Sequence, residues 1–271
     1  MPQPLFFNEI KYIPSFEVAM HRGLWSFVVL FISLTLFNGI KDFFLLFKFP
    51  KKIIILSITA LLIATNWLGF IYSVNIGKIQ DTSLGYFLTP MISISLGYLF
   101  LSEKLNFRKV ISVLLIFVSC LILVFSSDHF PYIAILIGTT WGVYGMLRKQ
   151  IQVPPALGLL FESGLITLFA LPYLIFLGVS ETGFFTYNLN YNSIMLFFTG
   201  IVTIIPLFLF NLGLKYIPLG LAGVLFYIAP SFHFITSVYV LGEYMNNYKF
   251  LAFMIIWIGV SIFMYDAIKK K

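Results

Sequence analysis

Residues 85–109 read GYFLTPMISISLGYLFLSEKLNFRK, and residues 225–249 read LFYIAPSFHFITSVYVLGEYMNNYK. The two stretches align without gaps when Gly85 is placed opposite Leu225. The matches are mostly residues that interrupt or end an apolar run: Pro90 and Pro230, Leu101 and Leu241, Glu103 and Glu243, Asn106 and Asn246, and Lys109 and Lys249. The alignment predicts an internal repeat, with a first half at 1–126 and a second half at 127–271.

Composition places the chain in a membrane. Of its 271 residues, 60% are hydrophobic and only 10% are charged, and the mean hydropathy is +1.00. An average soluble domain carries about 25% charged residues, so a soluble enzyme, a disordered chain and a secreted disulfide scaffold are excluded. The apolar runs are continuous and do not alternate, which predicts helices rather than barrel strands. The predicted fold class is an all-α polytopic membrane protein.

Nine apolar runs are candidates for membrane-spanning helices, each of which takes about 20 residues. They lie at 18–40, 53–76, 83–101, 109–126, 131–147, 156–178, 193–215, 219–241 and 249–267. Together with the repeat they predict ten helices in two halves of five. The first helix is expected to be truncated, because residues 1–13 correspond to the tail of the helix that begins near Pro131. Five is odd, so the second half would be inverted, as in many secondary transporters.

Basic residues predict the orientation. If residues 41–52 face the cytoplasm, 13 Lys and Arg residues fall in inside segments and 4 in outside segments, as the positive-inside rule requires. The C-terminus is then cytoplasmic, and the expected location is the bacterial inner membrane. Topology and contact with anionic headgroups account for the net charge of +7, so no nucleic-acid partner is expected.

The sequence carries no motif for ATP hydrolysis or for catalysis. It lacks a phosphate-binding loop of the Walker type, an HExxH zinc motif and a GxSxG nucleophile elbow. Its three histidines, His21, His129 and His233, have no metal-ligand spacing. The chain is therefore predicted not to be an enzyme, and no cofactor or metal is expected.

Two charged residues fall inside apolar runs. Arg22 and Glu162 coincide in the alignment that pairs Pro90 with Pro230, so they occupy equivalent positions in the two halves. Ionisable groups in hydrocarbon are costly and are functional candidates, so we expect this pair at opposite ends of one cavity, binding a charged substrate or a proton. Alternatively, each lies close enough to the membrane boundary to reach the headgroups. His21 is either a group that titrates near neutral pH or a plain interfacial histidine.

Further candidates for the substrate pathway lie within the predicted helices. Polar groups at this depth need a hydrogen-bond partner or water, and paired interruptions of the two halves point to the binding site in repeat transporters. The alternative is packing and hydrogen bonding between helices. These candidates are Asn66, Trp67, Tyr86, Pro90, Trp141, Tyr227, Pro230 and His233. Gly138 and Gly142 predict a close-packed helix face, and Glu103 is expected at the N-terminus of the next helix.

Several stretches together carry a family resemblance. AMHRGLWSF, NWLGFIYSVNIGKIQDTSLGYFLTP, LFLSEKL, WGVYGMLRK, LLFESG and GLAGVLFYIAPSFHFI resemble the RarD branch of the EamA family, in the drug/metabolite transporter superfamily. The resemblance covers essentially the whole chain apart from its start, and it implies a ten-helix inner-membrane permease with two inverted halves. The matching positions, to which the family motif assigns no roles, are His21, Arg22, Trp25, Asn66, Trp67, Tyr86, Pro90, Tyr144, Arg148, Glu162, Tyr227 and Pro230.

We therefore predict a secondary transporter of a small metabolite or drug that works by alternating access. It would act as a facilitator or use a proton or another coupling ion, and its partners would be a small-molecule substrate and the lipid bilayer. Two alternatives stay open: a non-transporting membrane subunit or small-molecule sensor, and a membrane-embedded enzyme for lipid-linked substrates. Binding without counterflow would distinguish the first, and turnover lost in a single polar variant would identify the second.

Overall fold

The computed structural model describes residues 3–76, 79–125, 130–186, 190–228 and 247–269. Over these residues the chain forms eleven α-helices and no strand, which confirms the all-α prediction. The helices are α1 (Gln3–Glu9), α2 (Ser15–Leu36), α3 (Ile40–Leu45, followed by a 3-10 turn at Leu46–Lys48), α4 (Pro50–Asn75), α5 (Ile79–Phe100), α6 (Phe107–Phe125), α7 (Tyr132–Ile151), α8 (Pro155–Val179), α9 (Tyr191–Gly213), α10 (Leu219–Leu225) and α11 (Asn247–Lys269).

Six helical stretches in the described part of the chain are long and apolar enough to cross a membrane. They are Ser15–Leu36, Pro50–Asn75, Phe107–Phe125, Pro155–Val179, Tyr191–Gly213 and Phe250–Lys269. A shorter apolar stretch covers Gly85–Phe100. The predicted run 131–147 forms α7, and most of the run 219–241 lies outside the described residues. The chain is thus a multi-pass membrane protein, and large apolar side chains such as Phe169 and Phe176 are exposed on α8, as lipid contact requires.

Prolines determine where two of these helices begin. Pro14 precedes α2 with φ −53° and ψ 132°, and Pro154 precedes α8 with φ −49° and ψ 136°. Proline lacks an N–H, and the extended ψ separates each helix from the chain before it. The two prolines coincide in the alignment of the two halves.

The chain divides into two compact units. Unit 1 consists of Met1–Gly77 and Leu147–Tyr216, and unit 2 consists of Lys78–Met146 and Ile217–Lys271. Unit 1 therefore combines one segment from each half of the sequence, whereas the segment Lys78–Met146 of unit 2 extends past the boundary between the halves. The equivalent helices α2 and α8 fall in unit 1, and α6 and α11 fall in unit 2.

In unit 1, α2 packs against α8 and α9, and α4 packs against α2 and α8. Near the start of α2, the ring centroid of Phe16 lies 4.8 Å from that of Tyr173. Further along α2, Gly23 lies against Ile166, so closely that a Cβ on Gly23 would come within 2.5 Å of Ile166 Cγ2. Residue numbers rise along one helix and fall along the other, so α2 and α8 are antiparallel.

In unit 2, α6 packs along α11 and α5 packs against α10. Before α6 begins, Asn106 Nδ2 donates a hydrogen bond to Asp266 Oδ1 at 2.6 Å. Further along, Ser112 Oγ donates to the carbonyl oxygen of Gly259 at 2.6 Å. These contacts again run in opposite directions, so α6 and α11 are antiparallel.

Two local expectations can be compared with unit 2. Glu103 does accept hydrogen bonds from the N-terminus of a helix, through the backbone N–H groups of Leu219 and Gly220. That helix is α10 rather than the next helix along the chain, because the turn after α5 brings the carboxylate to the start of α10. A Cβ on Gly138 would lie 3.2 Å from the carbonyl oxygen of Gly85, so the glycine face of α7 is closely packed on α5, as expected.

Candidate functional site

Buried charges mark the candidate site, which lies in unit 1. Arg22 of α2 is only 5% exposed, and its Nε donates a hydrogen bond to Thr203 Oγ1 of α9 at 2.5 Å. Its guanidinium carbon lies 4.6 Å from the ring centroid of Trp67 and 5.0 Å from that of Phe7. The faces of aromatic rings carry partial negative charge, so these two rings stabilise the buried cation.

Glu162 of α8 is only 1% exposed and lies in a second polar cluster of the same unit. It accepts a hydrogen bond from Thr59 Oγ1 of α4 at 2.6 Å, and its Oε1 lies 3.6 Å from Nε of Arg148. Arg148, in the last turn of α7, also donates from Nε to Asn211 Oδ1 of α9 at 3.0 Å. Side chains from four helices therefore meet at this ion pair.

Gly158 makes room for the ion pair. It lies one turn before Glu162 on α8, and the Arg148 guanidinium lies directly against it. A Cβ at position 158 would overlap Arg148 Nη1 and would come within 2.5 Å of Cζ. Any side chain at this position would therefore push Arg148 away from its contacts with Glu162 and Asn211.

A polar cleft of about 380 Å³ adjoins the ion pair, also within unit 1. Its lining residues are Arg148, Lys149, Gln152, Val153, Asn211, Leu214 and Lys215. Lys149 Nζ donates a hydrogen bond to the Leu214 carbonyl oxygen at 2.9 Å, which joins the end of α7 to the end of α9. The volume is within the range of small-molecule sites.

The other predicted site residues of unit 1 are also buried. His21 is 3% exposed, and its ring centroid lies 5.0 Å from that of Phe185. Its Nδ1 has no hydrogen-bond partner among the residues that the structure describes. Asn66 precedes Trp67 on α4 and is buried with it. Of the predicted pathway residues, unit 1 thus contains His21, Arg22, Asn66, Trp67 and Glu162, with Arg22 and Trp67 in direct contact.

Four of the predicted pathway residues that the structure describes lie in unit 2. The Tyr227 hydroxyl donates a hydrogen bond to the carbonyl oxygen of Phe87 at 2.9 Å. The Trp141 ring centroid lies 5.4 Å from that of Phe226. These contacts join α5 and α7 to the segment around α10.

Pro90 is buried in α5, which runs through it from Ile79 to Phe100, and Tyr86 is half-buried one turn earlier. Pro230 and His233 lie outside the described residues. Their place in a substrate pathway, and the pairing of Pro90 with Pro230, stay predictions.

The apolar and polar patterns of the sequence do not single out the partners of the buried charges, although the family resemblance includes Arg148. Arg148 was counted among the basic residues of an inside loop, because Lys149 follows it at the end of an apolar run. Thr59, Thr203 and Asn211 are isolated polar residues in apolar helices, and the only available signal was their depth within the run. In the described part of the chain, no three His, Cys, Asp or Glu side chains are grouped so that they hold a metal ion.

Comparison with known proteins gives consistent matches over nearly the whole chain. The sequence model of the EamA-like transporter family matches residues 5–125 and 131–265. An uncharacterized transporter, YojE of Bacillus subtilis, is 34% identical over 99% of this chain and 90% of its own length. An uncharacterized transporter of Vibrio cholerae is 36% identical over 98% of this chain and 88% of its own length. Protein RarD of Escherichia coli is 32% identical over 98% of this chain and 90% of its own length.

A solved crystal structure has a similar fold. It superposes with a TM-score of 0.68, covering 99% of this chain and 96% of the other, at 16% sequence identity. At this identity the likeness concerns the fold alone.

Proposed function

Because the chain belongs to the EamA-like transporter family, in the branch of the RarD-named proteins, we propose that it is a secondary transporter of the bacterial inner membrane. It moves a small metabolite or drug by alternating access, with its C-terminus in the cytoplasm. Relatives that are named transporters support the class of function. The sequence has no ATP-binding loop, which favours a facilitator or a carrier driven by an ion gradient.

One observation carries the proposal: charged side chains are buried inside helices that are long enough to span a membrane. Arg22 of α2 and Glu162 of α8 are 5% and 1% exposed, and Glu162 lies 3.6 Å from Arg148 in the last turn of α7. Removing such groups from water costs several kcal/mol per ion (about 20 in the idealised limit), and an apolar replacement of a buried pair is often at least as stable. Charges retained at this depth are therefore better explained by a substrate or ion pathway than by stability.

The proposed roles follow from these positions. Arg22 and Glu162 act as gating or substrate charges, and Glu162 is the site of the coupling proton. The residues proposed to line the substrate site are Asn66, Trp67, Tyr86 and Tyr227. The aromatic contact between Arg22 and Trp67, at 4.6 Å, supports a role for the ring in holding the charge in place.

The moving parts in this proposal are two inverted halves, 1–126 and 127–271. An inverted repeat relates its copies by a two-fold axis in the membrane plane, which makes equivalent helices antiparallel where they pack together. Two features support this arrangement: the starts of α2 and α8 at the equivalent prolines Pro14 and Pro154, and the antiparallel packing of α2 with α8 and of α6 with α11.

Counterflow into proteoliposomes tests the proposal. Amino acids, nucleosides, organic anions, cationic dyes and chloramphenicol are first screened by thermal shift on the purified chain, and each hit is then loaded inside the vesicles. We expect Glu162→Gln to abolish proton-coupled flux, and Glu181→Gln, at an exposed position after α8, to leave it unchanged. Binding without counterflow would overturn the transporter proposal in favour of a sensor or subunit.

Loss of folding must be separated from loss of flux, because Glu162→Gln removes the carboxylate partner of Arg148. Flux is therefore normalised to the monodisperse fraction after gel filtration. The double variant Arg148→Gln with Glu162→Gln restores charge balance, and it should be folded yet inactive. Unchanged pH-dependent flux in folded Glu162→Gln protein would remove Glu162 from the mechanism.

A further inference from the structure

The cleft at the junction of α7 and α9 is strongly basic. Arg148 and Lys149 come from the last turn of α7, and Lys215 follows the end of α9. Among the described residues that line the cleft, none is acidic. Glu162 is the carboxylate that pairs with Arg148, so three cations stand against one anion and the cleft carries an excess of positive charge.

Arg148 retains capacity to bind a ligand. Its Nε is engaged by Asn211 and Glu162. Its Nη1 is buried and has no hydrogen-bond partner among the residues that the structure describes. A guanidinium has five N–H donors in a planar fork that matches a carboxylate or a phosphate. Nη1 itself is packed against Gly158 of α8, which is not among the described residues that line the cleft. Arg148 therefore acts on an anion in the cleft through the positive charge of its guanidinium, which extends over several ångströms.

Lys215 has a different position in the same cleft. Its side chain is exposed, and within the described part of the chain no hydrogen bond or ion pair involves its ammonium group. Its charge is therefore available to a ligand and contributes little to folding. The amide of Gln152 adds a further polar group to the lining, whereas the Asn211 amide is engaged by the Leu207 carbonyl oxygen and by Arg148.

We propose that this cleft is a binding site for an anionic group, a carboxylate or a phosphate, of either a small solute or a lipid headgroup. Arg148 attracts the oxyanion from the buried end through its charge, and Lys149 and Lys215 neutralise it at the rim. The inference goes beyond transport, because binding requires no flux, and its test is independent of any transport assay.

The first arm of the test uses free anions. The purified chain in uncharged detergent is titrated with inorganic phosphate or succinate, at constant ionic strength with chloride, while the unfolding temperature is followed by tryptophan fluorescence. We expect a saturable rise in the unfolding temperature. Lys215→Gln should weaken the apparent affinity about tenfold, the value of one charge-assisted hydrogen bond. Lys48→Gln, which removes an exposed lysine outside the cleft, is the matched control and should behave as the wild type.

The second arm uses lipid. The same three proteins are placed in nanodiscs of phosphatidylcholine alone or with phosphatidylglycerol. Stabilisation by phosphatidylglycerol that is lost in Lys215→Gln but kept in Lys48→Gln supports a headgroup as the ligand, and stabilisation by the free anions with the same pattern supports a solute. The proposal is overturned if neither anion nor anionic lipid stabilises the wild type, or if Lys215→Gln responds as fully as Lys48→Gln.

Discussion

Tyr227 and Phe87 occupy equivalent positions of the proposed repeat, and the Tyr227 hydroxyl donates a hydrogen bond to the Phe87 carbonyl oxygen at 2.9 Å. Their ring centroids are 6.0 Å apart. Equivalent positions of two copies contact each other only close to the axis that relates the copies. The contact therefore marks where that axis would pass through unit 2.

The first prediction concerns this hydrogen bond. Tyr227 is 1% exposed, so Tyr227→Phe keeps the ring packed on Phe87 and removes only the donor. We expect a loss of about 1 kcal/mol in the free energy of unfolding, the net value of a neutral hydrogen bond, measured by denaturation in detergent. Tyr98→Phe, at an exposed position of α5, should change it by less than about 0.5 kcal/mol. Equal effects of the two substitutions would contradict the structural role of the Tyr227 hydroxyl.

The second prediction tests the close approach of α9 to α2. A Cβ on Gly200 would come within 2.5 Å of the backbone carbonyl carbon of Trp25 and 2.7 Å of the Ser26 nitrogen, and backbone cannot move aside as a side chain can. Gly200→Ala should therefore cost about 3 kcal/mol of stability. Gly178→Ala is the matched control, because nothing lies within 4 Å of a Cβ there, and it should be neutral or slightly stabilising. If Gly200→Ala unfolds at the same temperature as Gly178→Ala, the close approach of α9 to α2 at Gly200 is contradicted.

The third prediction concerns the aromatic contact of Arg22. We expect Trp67→Phe to cost less stability than Trp67→Leu, because phenylalanine still presents a ring to the guanidinium, and a desolvated cation–π contact is worth about 2 kcal/mol. In an Arg22→Met background, the extra free energy of unfolding lost by Trp67→Leu relative to Trp67→Phe should be smaller by about 2 kcal/mol. Chemical denaturation in detergent measures this difference. If the ranking of the two substitutions and the gap between them are the same in both backgrounds, the ring does not stabilise the charge.

The fold class and the helix positions were largely predictable, because continuous apolar runs and prolines are local signals. Pro154 starts α8 as Pro14 starts α2, and both positions could be aligned from the sequence alone. The two charges inside apolar runs, Arg22 and Glu162, were found for the same reason: a charge in an apolar run is conspicuous without any knowledge of its neighbours.

The partners of those charges could not be predicted from local signals. Arg22 meets Thr203 across 181 positions, and Glu162 meets Thr59 across 103. Both threonines also bond carbonyl oxygens of their own helices, Thr59 that of Leu56 and Thr203 that of Thr199, as threonines in apolar helices commonly do. Only the packing of α2 on α9 and of α4 on α8 shows that these two hydroxyls also contact a buried charge.

The burial of Arg148 could not be predicted from the sequence pattern for a related reason. In the sequence it stands at the end of an apolar run beside Lys149, which is typical of a loop charge facing the cytoplasm. In the fold, a short turn joins the end of α7 to the start of α8. Because Gly158 of α8 has no side chain, the Arg148 guanidinium packs against it in a buried position. A glycine one helical turn before a buried acid was the one clue that the sequence offered.

The last prediction concerns the ion pair of Arg148 and Glu162. Each single variant, Arg148→Gln or Glu162→Gln, leaves the other charge buried without its counter-ion, which costs about 3–5 kcal/mol. The double variant buries no unbalanced charge, and Thr59 still finds an oxygen acceptor at position 162. We therefore expect the double variant to lose at least about 1 kcal/mol less than the sum of the two single losses, as measured by chemical denaturation in detergent at neutral pH. Losses that add within about 0.5 kcal/mol would mean that the two groups, although 3.6 Å apart, are stabilised by other neighbours. In that case Asn211 for Arg148 and Thr59 for Glu162 would be the next variants to pair in a cycle.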